Sequence, residues 1–148
     1  MGFLEMTDTP LALHSLKMDA DPLAESFQQI CEELENLIAF EGVAAVLLLR
    51  IDGLVLQSIW PDEVTSELLP LAHWIRQIIA KVSEELQEHT PHVRYDRPPY
   101  TISFFKSGNA GILCGVFYEG ANTTLLNIEL NRTAEIFQGI LEGPGDYY

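Results

Sequence analysis

The sequence predicts an α+β domain, a three-layer α/β/α sandwich around a five-stranded, mostly antiparallel sheet in the order 2-1-5-4-3. Val43 to Leu49 and Gly111 to Tyr118 are apolar without alternation, so each needs cover on both faces. Periodic helical segments bracket the strands in the order helix, two strands, helix, three strands, helix. Turn signals at Asp52-Gly53, at Arg97-Pro98-Pro99 and at Ser107-Gly108-Asn109 make hairpins of strands 1 and 2, 3 and 4, and 4 and 5. Strands 1 and 5 are left to meet in the middle. The first and third helices then share one face, and the second helix covers the other.

Each element has a local cause. Residues 1–20 lack helical or strand periodicity and are expected to form an N-terminal arm, with the domain over 21–142 and a C-terminal tail over 143–148. Asp21-Pro22 is a helix start, Asp as N-cap and Pro at the first helical position. Leu23, Phe27, Ile30, Leu34, Leu37 and Ile38 then align on one face, and Gly42 ends the helix. Strand 1, the Asp52-Gly53 turn and strand 2 (Leu54 to Ile59) follow. A second helix runs from about Ser66 to Gln87 with Leu68, Leu71, Ala72, Ile75, Ile78, Ile79, Val82 and Leu86 on one broad face, and Pro70 is tolerated only within its first turn. Val93 to Tyr95 makes a short strand 3, Tyr100 to Phe105 strand 4 and Gly111 to Tyr118 strand 5. The third helix spans Asn122 to Leu141, with Asn122, Thr123 or Thr124 as its cap.

Composition narrows the function classes. Eight Lys and Arg against 22 Asp and Glu give a charge of −14, which repels phosphate backbones and anionic headgroups, so nucleic acid is not an expected partner. No apolar run approaches the length of a membrane span. A signal peptide is not recognisable, Met6 breaks a myristoylation motif that begins at Gly2, and a cytoplasmic location is expected. Cys31 and Cys114 lack CxxC or Cys/His spacing and read as buried small hydrophobes. The sequons at Asn122 and Asn131 read as helix residues.

Catalytic constellations are thin. There is no GxxxxGK[ST] or GxGxxG opening a helix, and no GxSxG to aim a serine. His89 and His92 lie near Glu84, Glu85 and Glu88, enough donors to sketch a metal site, but Pro91 keeps the two histidines off one helical turn. Most carboxylates fall on outer helix faces. We therefore expect no enzyme activity, no catalytic or metal-binding residues and no cofactor. The rival readings are a PAS- or GAF-like ligand-sensing domain with an internal pocket and, behind it, a metal-dependent hydrolase built on His89 and His92.

The second helix is more informative. With Ile75 at the centre of its buried face, at about 100° per residue, Trp74, Lys81 and Glu85 fall on one flank and Ala72, Arg76, Ala80 and Ser83 on the other. Trp74 reads either as an interface anchor or as a ring lapping over the edge of its own sheet. Strand 3 is an unpaired edge in a monomer, guarded only by Arg94 and Arg97, and pairing with a second copy would satisfy it.

The stretch EGVAAVLLLRIDGLVLQS, with its Gly-Val, apolar strand and Asp-Gly hairpin, resembles the Roadblock/dynein-light-chain (Roadblock/LAMTOR-like) domain family, a fold related to longin and profilin. YTISFFKSGNAGILCGVFYEGANTTLLNIELNRTAEIF is similar to the family's last two strands, Asn-containing turn and final helix, and the resemblance covers about residues 22–142. It implies a homodimer, or a heterodimer with another Roadblock protein, joined through helix 2 and strand 3. It also implies a non-catalytic scaffold for a small Ras-like GTPase, engaged across the paired second helices and in some bacterial members stimulating GTP hydrolysis by the partner. Carried onto this chain, the interface residues are Trp74, Arg76, Gln77, Lys81 and Ser83 of helix 2 and Val93, Arg94 and Tyr95 of strand 3.

Overall fold

The computed structural model describes residues 13–61 and 68–142. Its elements are α1 (Leu13–Ile38), β1 (Val43–Arg50), β2 (Val55–Ile59), α2 (Leu68–Glu85), β3 (His92–Arg97), β4 (Tyr100–Ser107), β5 (Gly111–Tyr118) and α3 (Thr123–Glu142). By compactness the chain divides at Glu32/Glu33. Up to that point the described chain is the first part of α1. Beyond it lie the end of α1 and all the other elements.

One expectation fails. α1 begins at Leu13, so the stretch expected to be an arm is helical from there on, and Pro22 stands inside the helix rather than at its start. Leu, Lys, Met and Ala between 13 and 20 are strong helix formers, and that propensity continues the helix through a residue that donates no backbone bond. Residues 1–12, the tail at 143–148 and the residues 62–67 ahead of α2 lie outside the described residues. Pro70 falls in the first described turn of α2, where its missing N–H is tolerated.

The sheet order is β2-β1-β5-β4-β3, and every ladder is antiparallel. Val43 through Leu49 and Gly111 through Phe117 are buried at every position, as two-sided cover demands. One face carries Ala45, Leu47, Leu49, Ile102, Phe104, Ile112, Cys114 and Val116, packed with Leu68, Leu71, Ile75, Ile79 and Val82 of α2. The opposite face meets α3: Ser107 Oγ donates to the Ala134 carbonyl at 2.7 Å, and Ser103 Oγ to Asn127 Oδ1 at 3.4 Å. Leu126, Leu130, Ala134 and Phe137 supply the buried stripe of α3. Each fully buried Leu, Ile or Phe in these layers stabilises by roughly 1.5–3 kcal/mol.

Turn chemistry follows the sequence. Gly53 has φ of 94°, and Asp52 Oδ1 accepts the Leu54 N–H at 3.1 Å. Gly42 has φ of 94° too, and a Cβ there would lie 2.6 Å from that of Ala121. Asn122 caps α3, its Oδ1 accepting the Leu125 N–H at 3.1 Å. Among the described residues no helix is long and apolar enough to cross a membrane.

Candidate functional site

The site is built on β3, the outer strand of the sheet. The Lys106 N–H donates to the Pro91 carbonyl at 2.9 Å. Opposite residues alternate between hydrogen-bonded and non-bonded pairs along an antiparallel ladder. The backbone groups of His92, Arg94 and Asp96 therefore point away from β4, out of the sheet edge. Side chains alternate as well: Val93, Tyr95 and Arg97 stand on the α2 face, and His92, Arg94 and Asp96 on the α3 face, where Arg94 lies opposite Ser103.

On the α2 face an aromatic cluster ties the edge strand to the helix. Tyr95 sits edge-on to Trp74 and to Phe104, both with centroids 5.8 Å away. Arg97 Cζ lies 4.8 Å from the centroid of the Trp74 ring, a cation–π contact. The Tyr95 hydroxyl donates to Glu85 Oε1 at 2.6 Å. Burial, and then the Glu85 carboxylate, push the Tyr95 phenol up to about 12. Trp74 thus laps over its own sheet edge, half-buried, with part of its surface left at the boundary.

The eight residues expected at the interface separate into groups. Trp74, Val93 and Tyr95 come together along one flank of α2 and its neighbouring strand, and Lys81, seven residues on from Trp74, is exposed on the same flank. Arg76 and Ser83 lie on the other flank, Ser83 lining a shallow recess with Ile51, Leu86 and Lys106, and Gln77 is exposed on the outer surface of α2. Arg94 stands on the far side of the sheet in an ion pair with Asp96 (3.1 Å). Arg97 and Glu85 belong with the cluster and were not in the expected set. The period-2 alternation that groups 93 and 95 also reaches 97, a signal present in the sequence.

Two histidines and two cysteines remain. The His92 ring stacks on Phe105, 4.3 Å between centroids and 9° between planes, with Nε2 buried and without a partner. Burial and, less strongly, Arg94 lower its pKa. His89 is exposed in the turn after α2, and among the described residues no group of three or more His, Cys, Asp or Glu could hold a metal ion. Cys114 is buried, which pushes its thiol pKa up, whereas Cys31 is only half-buried, against expectation. It lies next to Ile30, on the margin of the apolar stripe of α1.

Neither a protein-family model nor a curated protein matches this chain. Solved structures do. MglB in a tetrameric arrangement superimposes with a TM-score of 0.64 at 21% identity, over 79% of this chain and 90% of that one. MglC from Myxococcus xanthus gives 0.64 at 17% identity, over 77% and 98%. A Roadblock/LC7 domain from Streptomyces avermitilis gives 0.58 at 14% identity, over 74% and 94%. This chain has the Roadblock/LC7 fold. Its two Roadblock edge strands are unequal: on β2 the Gln57 Oε1 accepts the Ser58 N–H at 3.2 Å, whereas on β3 the Arg94 and Asp96 side chains bond one another. A side chain covers backbone on one edge, and β3 is the more open of the two.

Proposed function

We propose that this chain is a non-catalytic, dimeric regulator of a small Ras-like GTPase, working in the cytoplasm, with β3 and the adjoining flank of α2 as its self-association surface. The observation that carries the reading is the β3 edge, whose outward backbone groups flank a half-buried aromatic cluster. The Roadblock fold supports it, because the resemblance implies dimers joined through these elements. The filled layer beneath α2, with Ile75, Val82 and Phe104 at 0% exposure, disfavours the ligand-sensing alternative.

The edge is self-complementary in one register. A two-fold axis through the sheet pairs β3 with its copy antiparallel, and the outward groups restrict the axis to passing through a residue. On Arg94 it would set arginine against arginine, on Asp96 aspartate against aspartate, and on Val93 Arg94 against His92. On Tyr95 it sets Arg94 opposite Asp96 twice, with the two tyrosines facing each other. Charge therefore selects Tyr95, and the same fit favours a homodimer over a heterodimer.

In this reading the paired α2 helices present Arg76 and Gln77 to the GTPase and act by reshaping it, supplying no catalytic group. The test is native mass spectrometry of the chain, followed by GTP hydrolysis by Ras-like GTPases of the same host with and without it. We expect a dimer and a change in the hydrolysis rate of one such GTPase. A strict monomer at tens of micromolar overturns the dimer, and unchanged hydrolysis together with no binding to any of them overturns the regulator. An arginine finger is the rival mechanism, and stimulation that survives Arg76→Ala removes that arginine from consideration.

A further inference from the structure

We propose that the junction of the α1–β1 loop, the end of β5 and the first turns of α3 docks a cationic amphipathic helix of another protein. This surface does not depend on the dimer or on the GTPase reading. A recess of about 520 Å³ opens there, lined by Phe40, Tyr118, Ala121 and Leu125 among others. Leu125 is 43% exposed, Tyr118 45% and, one turn further along α3, Ile128 61%.

Folding does not account for these side chains. The buried stripe of α3 is Leu126, Leu130, Thr133, Ala134 and Phe137. At 100° per residue, Ile128 points to the side opposite that stripe and Leu125 to the flank between them, where a surface helix carries polar residues. Spaced i, i+3, they form a ridge beside a hole, the relief a second helix packs against. Large apolar side chains exposed together beside a recess mark contact sites.

Charge chooses the occupant. Glu41 and Glu119 line the same recess and are exposed, and among the described residues neither takes part in an ion pair. A second copy meeting this patch face to face would bring those carboxylates together on a chain of net charge −14. Anionic lipid and nucleic acid are repelled for the same reason. A helix with apolar anchors on one face and Lys or Arg beside them satisfies both the recess and its rim.

The probe is a labelled synthetic helix of Leu and Lys, Leu at i, i+3, i+4 and i+7, titrated by fluorescence anisotropy against the full chain, with a Leu/Glu helix of the same pattern as control. We expect the Leu/Lys helix alone to bind. Leu125→Gln/Ile128→Gln, which leaves the charge unchanged and alters only exposed positions, should weaken binding by about tenfold or more. Glu41→Gln/Glu119→Gln should weaken it roughly threefold and flatten its salt dependence. Removing two exposed carboxylates elsewhere, in Glu84→Gln/Glu88→Gln, should leave the affinity within about twofold. Undiminished binding by the Leu125/Ile128 variant, equal binding of the Leu/Glu helix, or no binding of either helix overturns the proposal. So does a peptide-free wild type that forms a larger assembly which the Leu125/Ile128 variant does not, since a second copy would then cover the patch.

Discussion

A cysteine ruler along β3 measures the proposed register directly. With the two-fold axis on Tyr95, that residue faces its copy in a non-hydrogen-bonded pair, where Cα atoms lie about 4.5 Å apart. Disulfides accept Cα separations of roughly 4.4–6.8 Å, so Tyr95→Cys should oxidise to a covalent dimer. Val93 would then be offset from its own copy by four residues, roughly 14 Å at about 3.4 Å per residue, and Val93→Cys should stay uncrosslinked. If the axis stood on Arg94 instead, two residues of offset would hold the two thiols of the Tyr95→Cys variant roughly 8 Å apart, beyond bridging, and only Arg94→Cys would couple. The assay is non-reducing electrophoresis after mild oxidation, on a Cys31→Ser background because Cys31 is the less buried native thiol. Loss of the Tyr95 ring also removes its contacts with Trp74, Phe104 and Glu85, so a charge exchange provides a second measurement. Arg94→Asp turns two attractions of roughly 0.2–1 kcal/mol each into repulsions of similar size. Solvent screening of these half-exposed groups keeps the total near the lower end. A loss of about 1–2 kcal/mol raises the dimer Kd roughly five- to thirtyfold. Adding Asp96→Arg should restore it. Crosslinking through Val93 or Arg94, or no recovery in the double variant, refutes the Tyr95 register.

Three further predictions concern the scaffold. Thr133 Oγ1 is buried without a partner, so Thr133→Val should stabilise the chain by about 1 kcal/mol, read as a rise of roughly 3 °C in thermal melting. A Cβ on Gly115 would meet Leu130 Cδ2 at 2.5 Å and Phe117 Cε1 at 3.0 Å, so Gly115→Ala should cost about 1–3 kcal/mol by forcing α3 off the sheet, measured by urea unfolding. The lowered pKa of His92 means that, between its folded value and the ordinary 6.5, the unfolded chain binds more protons than the fold. Stability should therefore fall as pH drops below about 6.5. His92→Phe, which keeps the stack on Phe105, should show a smaller fall in parallel urea titrations at about pH 7.5 and about pH 5.5.

Much of the fold is legible without coordinates because it rests on local or one-dimensional signals. Two apolar strands that do not alternate demand cover on both faces, Asp52-Gly53 and Ser107-Gly108-Asn109 dictate hairpins, and together they leave a single strand order. The start of α1 is less legible, because Asp21-Pro22 has the form of a cap while the residues ahead of it are equally good helix formers. At the candidate site, helical periodicity separates the two flanks of α2, and the strand order leaves β3 as an edge. Periodicity gives the angle of a side chain about its own axis and is silent on which neighbour that angle meets. Only the packing of α2 across the sheet decides that Trp74 meets Tyr95 and Arg97 while Arg76 and Ser83 lie on the other side. Only the pairing of β3 with β4 turns Arg94 to the α3 face. Composition and spacing are properties of a line, whereas an interface is made of residues that lie far apart along the chain and meet only once it has folded.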